Sequence, residues 1–402
     1  MTKNDTYKRN LSLNERTWIA VAQAYPPFCN QLILEGDAQS VIDKTKLETA
    51  VEKASAANPG SRVTLKGLWR TCHLVDSRKS PRVREVDGSK WSGFDDNGAP
   101  FLAEPLSPDL REPACEVLII HGSPLRLAFR THHAIMDARG TFVWVEDIFR
   151  ALRGESAVGS DSTVSDLDLG LKYKKKKARS SVSGYLSPLG TAEGQEDGFR
   201  WIRKQLTGRY RYLIAQIAVL LAKEAWSISP GNVLVYIPVD WRLLHQNIRT
   251  PANLSTAVSL EVKPETTHKG FTDELKRLVM EQNRPYSALN TLLPFIPFWL
   301  MRGILTKFTK KAHKTGRYPF SVVLTGSRER DFNLKTVSGE GFNCDTGFFI
   351  PPCFGSSPIF LAFLELENVI QLVATVPKVL ATAGRFDALM DTIVSGLVST
   401  DT

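Results

Sequence analysis

The order of strand and helix signals predicts an α/β (α+β) fold in two domains. Three observations carry this. β-prone runs alternate with amphipathic helical runs, both halves of the chain have that texture, and a polar, charge-segregated stretch separates them. At 402 residues the chain exceeds the size at which single cores stop growing, roughly 250–300 residues. Hydrophobic content of 43% and charged content of 23% fit an ordinary globular protein and exclude wholesale disorder. The expected division is 1–154 as N-terminal domain, 155–198 as flexible linker and 199–402 as C-terminal domain.

In the first half, residues 30–36 (NQLILEG) read as a short strand. Val41, Ile42, Leu47, Ala50, Val51 and Ala54 recur at helical spacing over 40–56, and Asn58-Pro59-Gly60 stops that helix. Residues 63–74 are strand-like. The runs 115–120 and 125–130 form a hairpin about His121-Gly122-Ser123-Pro124, and 142–152 is an amphipathic helix ending at Gly154. The stretch 155–198 is rich in Ser, Gly and Asp and carries the basic run KYKKKKAR, the composition of a linker or long mobile loop.

The second half repeats the pattern. A helix over 210–226 precedes a fully apolar strand at 233–239, of the kind found buried in a sheet. A strand at 257–262, a helix at 271–282 and a short strand at 320–324 follow. A hairpin of 359–366 and 369–375 then leads into a closing helix over 379–397. No short-period repeat is present, so the two similar halves suggest a pseudo-duplicated architecture.

Charge and cysteine usage narrow the function. The net charge of +9 could point to nucleic acid, a membrane surface or an anionic substrate. Most of it comes from Lys172, Lys174, Lys175, Lys176, Lys177 and Arg179, so it is local to one stretch. With no base-reading motif, nucleic-acid binding is not expected. Five scattered cysteines without C-x-x-C spacing read as reduced thiols in a cytoplasmic protein, and the polar N-terminus lacks the apolar core of a secretory signal. Residues 291–305 (TLLPFIPFWLMRGIL) are apolar but broken by Pro294, Pro297 and Arg302, too short to span a bilayer. They read as a buried or substrate-lining segment, with a weak peripheral membrane contact as the alternative. The cluster Arg302, Lys307, Lys310, Lys311 and Lys314 after it reads as a solvated helix face, or as a docking surface for coenzyme A phosphates or an acidic carrier.

The chemistry-bearing stretch is Arg130-Thr131-His132-His133-Ala134-Ile135-Met136-Asp137-Ala138-Arg139-Gly140, a strand-to-helix turn. Histidine is the side chain best matched to taking a proton near neutrality. Two neighbours at a strand end point to opposite sides, so one can face a channel while the other packs inward. Core or surface histidines are the bland alternative. Adjacent histidines chelate one ion poorly, and no fourth ligand lies nearby, which argues against zinc. Cys353, in Pro351-Pro352-Cys353-Phe354-Gly355, has no identifiable base and reads as a buried apolar thiol. No phosphate loop or G-x-S-x-G elbow is present.

These residues resemble the condensation-domain and chloramphenicol-acetyltransferase-like superfamily of thioester-dependent acyltransferases, whose motif reads His-His-x-x-x-Asp-Gly. The glycine is Ala138 here. Leu11–Arg16, the 30–62 strand-helix stretch ending Asn58-Pro59-Gly60-Ser61-Arg62, Ile237-Pro238-Val239-Asp240-Trp241-Arg242 and Ser321–Arg328 are similar to family segments and occur in family order. The resemblance covers most of the chain outside 155–198.

It implies two acetyltransferase-like mixed-sheet sandwiches forming a pseudo-dimer with an active-site tunnel between them. His133 would be the general base, with Asp137 paired to Arg242 as a structural salt bridge. His132 would be mainly structural, with a direct catalytic part as the alternative. Thr325 and Gly326 would be weaker candidates for holding the oxyanion. The implied reaction moves an acyl group from a thioester of coenzyme A or carrier-protein phosphopantetheine to a hydroxyl or amine, in a monomer needing no metal or redox cofactor. A condensation-like protein that binds a carrier or partner without chemistry is the alternative.

Overall fold

The alternating signals fold, in a computed structural model, into two lobes. The structure describes residues 7–68, 71–170, 175–177, 184–243, 245, 248–281, 284–286, 295–328 and 331–399. The strands of the two largest sheets are, in chain order, β1 (Cys29–Gly36), β2 (Arg82–Asp87), β3 (Cys115–His121), β4 (Arg126–His132), β5 (Phe199–Thr207), β6 (Val233–Asp240), β7 (Ser255–Val262), β8 (Val322–Arg328), β9 (Cys344–Ile350), β10 (Phe360–Glu365) and β11 (Val369–Pro377). The longer helices are α1 (Leu13–Ala24), α2 (Lys44–Ala57), α3 (Ala138–Leu152), α4 (Leu213–Ile228), α5 (His268–Glu281), α6 (Phe298–Thr315) and α7 (Arg385–Gly396).

The first sheet runs β9-β1-β4-β3-β2 and the second β5-β11-β10-β8-β6-β7. Both are mixed: β2–β3, β6–β8 and β8–β10 pair in parallel, the other neighbours antiparallel. In the first lobe Leu47 and Val51 of α2 and Trp144, Ile148 and Phe149 of α3 pack on Leu32, Leu34, Val117 and Phe129 of the sheet. In the second, Ile217 and Leu221 of α4 and Phe386 and Ile393 of α7 cover Val235, Leu324, Leu361 and Leu372. Full burial of each such side chain contributes about 1.5–3 kcal/mol.

The lobes are not divided by sequence position. β9 comes from the C-terminal half yet pairs with β1, so the expected C-terminal unit of 199–402 gives one strand to the N-terminal sheet. That crossing strand builds the seam. Its Phe348 and Ile350 join Ile33, Leu118, Trp91, Trp201 and Val373 in one cluster drawn from both lobes. A buried ion network lies beside it: Glu35 of β1 accepts from Arg126 at 2.7 Å and from Arg203 of β5 at 3.0 Å. Arg203 also donates to Gln371 at 2.7 Å and stacks over the Phe348 ring.

Several expectations are corrected. The run 63–74 is a pair of antiparallel strands, Val63–Lys66 and His73–Asp76, because Gly67 takes a positive φ and turns the chain. The described parts of the 155–198 stretch are packed against the lobes and are not a free linker. The Asp147 carboxylate holds the backbone N–H groups of Val158 and Gly159, Leu169 packs with Trp241 and Leu254, and Leu186 and Leu189 enter the C-terminal core. Of the basic run, Lys175–Lys177 pairs in parallel with Arg284–Tyr286, while 172, 174 and 179 lie outside the described residues. The strand at 233–239 is half-buried, because its Tyr236 and Pro238 face a cavity instead of core. Residues 291–294 lie outside the described residues. From 295 the tract is mostly not buried: α6 leaves Trp299 71% exposed, while Met301 is buried.

Glu35 is the sole carboxylate shared by Arg126 and Arg203 in the ion pairs found among the described residues. Replacing it (Glu35→Gln) strands two buried guanidinium groups, which costs about 3–5 kcal/mol. Denaturant unfolding followed by circular dichroism should lose that much. A loss under about 1 kcal/mol, the range of exposed pairs, would show the seam to be held by its apolar cluster alone.

Candidate active site

The chemistry sits on the turn between β4 and α3. Strand alternation sends His132 inward and His133 to the opposite side. His132 is 1% exposed, and its Nδ1 accepts the Ala134 N–H at 3.1 Å, so the proton rests on Nε2, near the Pro108 carbonyl without a fully formed hydrogen bond. Burial, then the neighbouring His133, push its pKa down to about 3. It does not line the cavity described next. Its place is in the core.

His133 lies on the wall of a cavity of about 290 Å³ between the lobes, with Trp18, Phe28, Tyr236, Pro352, Phe354 and Phe360 among the residues around it. Its ring packs 5.2 Å from Phe28, edge to face, and 5.6 Å from Trp18. Nδ1 is sealed from solvent without a hydrogen-bond partner, which leaves Nε2 as the nitrogen a cavity ligand can reach. Burial pushes its pKa down to about 4, against the opposing Asp137 carboxylate and Met136 backbone. The imidazole is therefore neutral at physiological pH and free to accept a proton.

Asp137 is turned away from reaction chemistry by its bonds. One carboxylate oxygen caps α3 by accepting the Gly140 N–H at 2.6 Å; the other accepts from the Leu254 N–H at 2.8 Å and the Ser255 hydroxyl at 3.2 Å. Arg242 reaches it from the second lobe, one guanidinium nitrogen lying 3.0 and 3.3 Å from the two oxygens. This is a single nitrogen spanning both oxygens, not a parallel two-nitrogen fork. The second terminal nitrogen donates to the Thr250 and Ala252 carbonyls. Burial alone would raise the Asp137 carboxyl, but Arg242 and the backbone donors outweigh it and hold it below the usual carboxylate range. Asp240, buried beside the same guanidinium and facing the Asp137 charge, is pushed up.

Two asparagines pin the rest of the turn, and sequence reasoning passed over both. Asn30 donates to the Met136 carbonyl and Asn253 to the His133 carbonyl, each at 2.7 Å. Nothing in a lone asparagine marks such a role. Their partners lie more than a hundred residues away in sequence.

Thr325 and Gly326 of β8 line the same cavity as His133. A Cβ on Gly326 would meet the Phe363 ring at 2.1 Å, so its packing alone demands glycine. Ala138 has no positive φ, so alanine is tolerated at the first position of α3. The backbone is tight two residues later, where a Cβ on Gly140 would lie 2.0 Å from the Pro251 carbonyl oxygen. A second cavity of about 740 Å³ shares Asp137, Ala138, Pro238, Ser255, Thr325 and Gly326 with the first. The two cavities thus adjoin at the turn. Burial pushes the Cys353 thiol well up, which leaves it unreactive. Among the described residues, no group of three His, Cys, Asp or Glu side chains is placed to hold a metal ion.

No family model and no curated protein sequence matches the chain. Solved structures do. The starter condensation domain of rhizomide synthetase RzmA, in complex with C8-CoA, superposes with a TM-score of 0.63 at 14% identity, covering 96% of this chain and 93% of that one. The condensation domain of the monacolin K polyketide synthase MokA gives 0.63 at 11% identity over 98% and 97%. The epimerization domain of the third module of tyrocidine synthetase B gives 0.57 at 11% over 97% and 96%. The fold is the two-lobed condensation-domain fold.

Two outcomes test this geometry. Gly140→Ala should destabilise by at least about 1–3 kcal/mol through backbone overlap, while Ala138→Gly should cost about 1 kcal/mol or less. Equal costs, read from urea midpoints, would refute the tight approach to Pro251. His132 and His133 have folded pKa values below the unfolded value of 6.5, so the unfolded chain binds more protons as pH falls. Stability should be intact above about pH 6.5 and decline toward pH 4, by up to roughly 1.4 kcal/mol per unit for each histidine. His133→Gln should remove about half of that slope; an unchanged slope would place the titration elsewhere.

Proposed function

We propose that this chain, built on the condensation-domain fold, transfers an acyl group from a thioester to a hydroxyl or amine, with His133 as general base. The observation that carries the reading is a neutral imidazole with one sealed and one reachable nitrogen, set in an apolar cavity between two lobes. Nε2 of His133 takes the proton of the acceptor O–H or N–H as its lone pair attacks the thioester carbonyl. The resulting tetrahedral oxyanion collapses, the C–S bond breaks, and the thiolate recovers the proton from the imidazolium. Thr325 and Gly326 are the candidates for holding the oxyanion, since β8 carries them along the same wall.

The two adjoining cavities suit entry of donor and acceptor from opposite sides. The donor would be an acyl-coenzyme A or an acyl carrier protein, and the complex of the RzmA domain with C8-CoA fits that class. The product would belong to secondary metabolite synthesis, the setting of the synthetases that carry this fold. An epimerization domain shares the fold too, so the reaction rests on the site and not on the superposition.

Thiol release with a panel of acyl-coenzyme A donors and nucleophiles tests the proposal. His133→Ala should lower kcat/KM by about 10²–10⁴ while leaving the thermal midpoint nearly unchanged. Wild-type kcat/KM should rise through about pH 4 and stay flat through neutrality, since only the neutral imidazole can act. Full activity of His133→Ala, or a rise centred near 6.5, would overturn the assignment.

A further inference from the structure

α6 combines two features that its packing in one lobe does not use. Its inner side is held by the fold: Met301, Thr309 and Ala312 are buried, the Leu305 carbonyl accepts from the Tyr25 hydroxyl, and Leu305 packs among Trp18, Val21, Ala22, Phe28 and Phe354. Its outer side is largely segregated along the helix axis. The first two turns expose Trp299, Leu300 and Ile304 with one cation, Arg302, and Phe295 is exposed just before them. The following turns expose Lys307, Lys310, Lys311 and Lys314 around one apolar side chain, Phe308. Successive residues rise 1.5 Å, so the centres of the two zones lie roughly 14 Å apart.

No Asp or Glu occurs between Phe298 and Thr315, and none of the four lysines has an ion-pair partner among the described residues. A protein-binding patch usually has an apolar centre with a polar rim and is poor in lysine. Here the zones are stacked end to end, and the cations are hydrated point charges suited to a diffuse anionic surface. An apolar tip followed by a lysine-rich stretch suits an end-on approach, in which the aromatic and aliphatic tip enters the lipid and the lysines reach the phosphates. The helix is too short in apolar residues to cross a bilayer.

We propose that α6 docks the protein on an anionic lipid surface, with Phe295, Trp299, Leu300 and Ile304 among the acyl chains and Lys307, Lys310, Lys311 and Lys314 at the phosphates. Leu305 of α6 shares an apolar cluster with Trp18, Phe28 and Phe354, which line the His133 cavity, so docking sets that cavity close to the lipid. The inference stands apart from the acyl-transfer reading, because lipid binding is measured without turnover.

The test is flotation of the full-length chain with phosphatidylcholine vesicles, with and without phosphatidylglycerol, at low and high salt. Binding is expected to the anionic vesicles and to weaken with salt. Trp299→Ser with Ile304→Ser should reduce partitioning by at least about tenfold, and each of Lys310→Gln and Lys311→Gln by about fivefold. All these side chains are exposed, so thermal midpoints should match wild type and separate lost docking from lost folding. Failure of the full-length chain to float with anionic vesicles would overturn the proposal. So would flotation indifferent to the tip substitutions or to the lysine substitutions.

Discussion

The Asp137 carboxylate is the constraint on which the site depends. It caps α3 through Gly140, receives the backbone of Leu254 and the hydroxyl of Ser255, and meets Arg242 from the other lobe. These bonds set both the start of a core helix and the distance between lobes. Because β4 ends at His132 and α3 begins at Ala138, that capping fixes the turn from which His133 projects. One buried charge thereby couples helix initiation, lobe contact and placement of His133. The desolvation cost of so buried a charge is offset by having its oxygens satisfied from several directions.

The seam and the cavity divide the interface between lobes into two regimes. At the seam, β9 crosses from one half of the chain into the sheet of the other, and Trp91, Trp201 and Phe348 pack with the Glu35–Arg126–Arg203 network beside them. That region is close-packed and carries the rigidity. Farther along, aromatic and proline side chains leave space instead of filling it. The apolar surroundings lower the basicity of His133 but keep it unprotonated, and keep bulk water from its sealed nitrogen. A neutral imidazole on such a wall has the protonation state that the proposed proton transfer requires.

Much of the secondary structure was legible from period and punctuation. The strand of β1, the hairpin of β3 and β4, and the helices α2 and α3 follow apolar spacing and turn residues closely. The misreadings share a cause: local patterns report apolarity, not what faces it. The alternation of β6 was masked because its cavity side, with Tyr236 and Pro238, is apolar as well. The tract at the start of α6 read as buried or substrate-lining, yet Trp299, Leu300 and Ile304 are exposed, while Met301 is buried. The Ser- and Gly-rich stretch read as a tether, but single residues such as Leu169, Leu186 and Leu189 anchor it in pockets made by distant segments.

The sequence by itself determined the α/β class, the strand-to-helix turn with paired histidines, and the candidate pair of Asp137 with Arg242, because these depend on residue type at short spacing or on an ordered set of motifs. Only the tertiary structure decided which side chains wall the cavity that His133 reaches, that Asn30 and Asn253 hold the turn, that Gly140 and not position 138 is sterically required, and that β9 changes lobes. The physical reason is common to all four. Each depends on a contact between segments far apart in the chain, and the energy of such a contact is set by burial and approach distance, which no local pattern encodes.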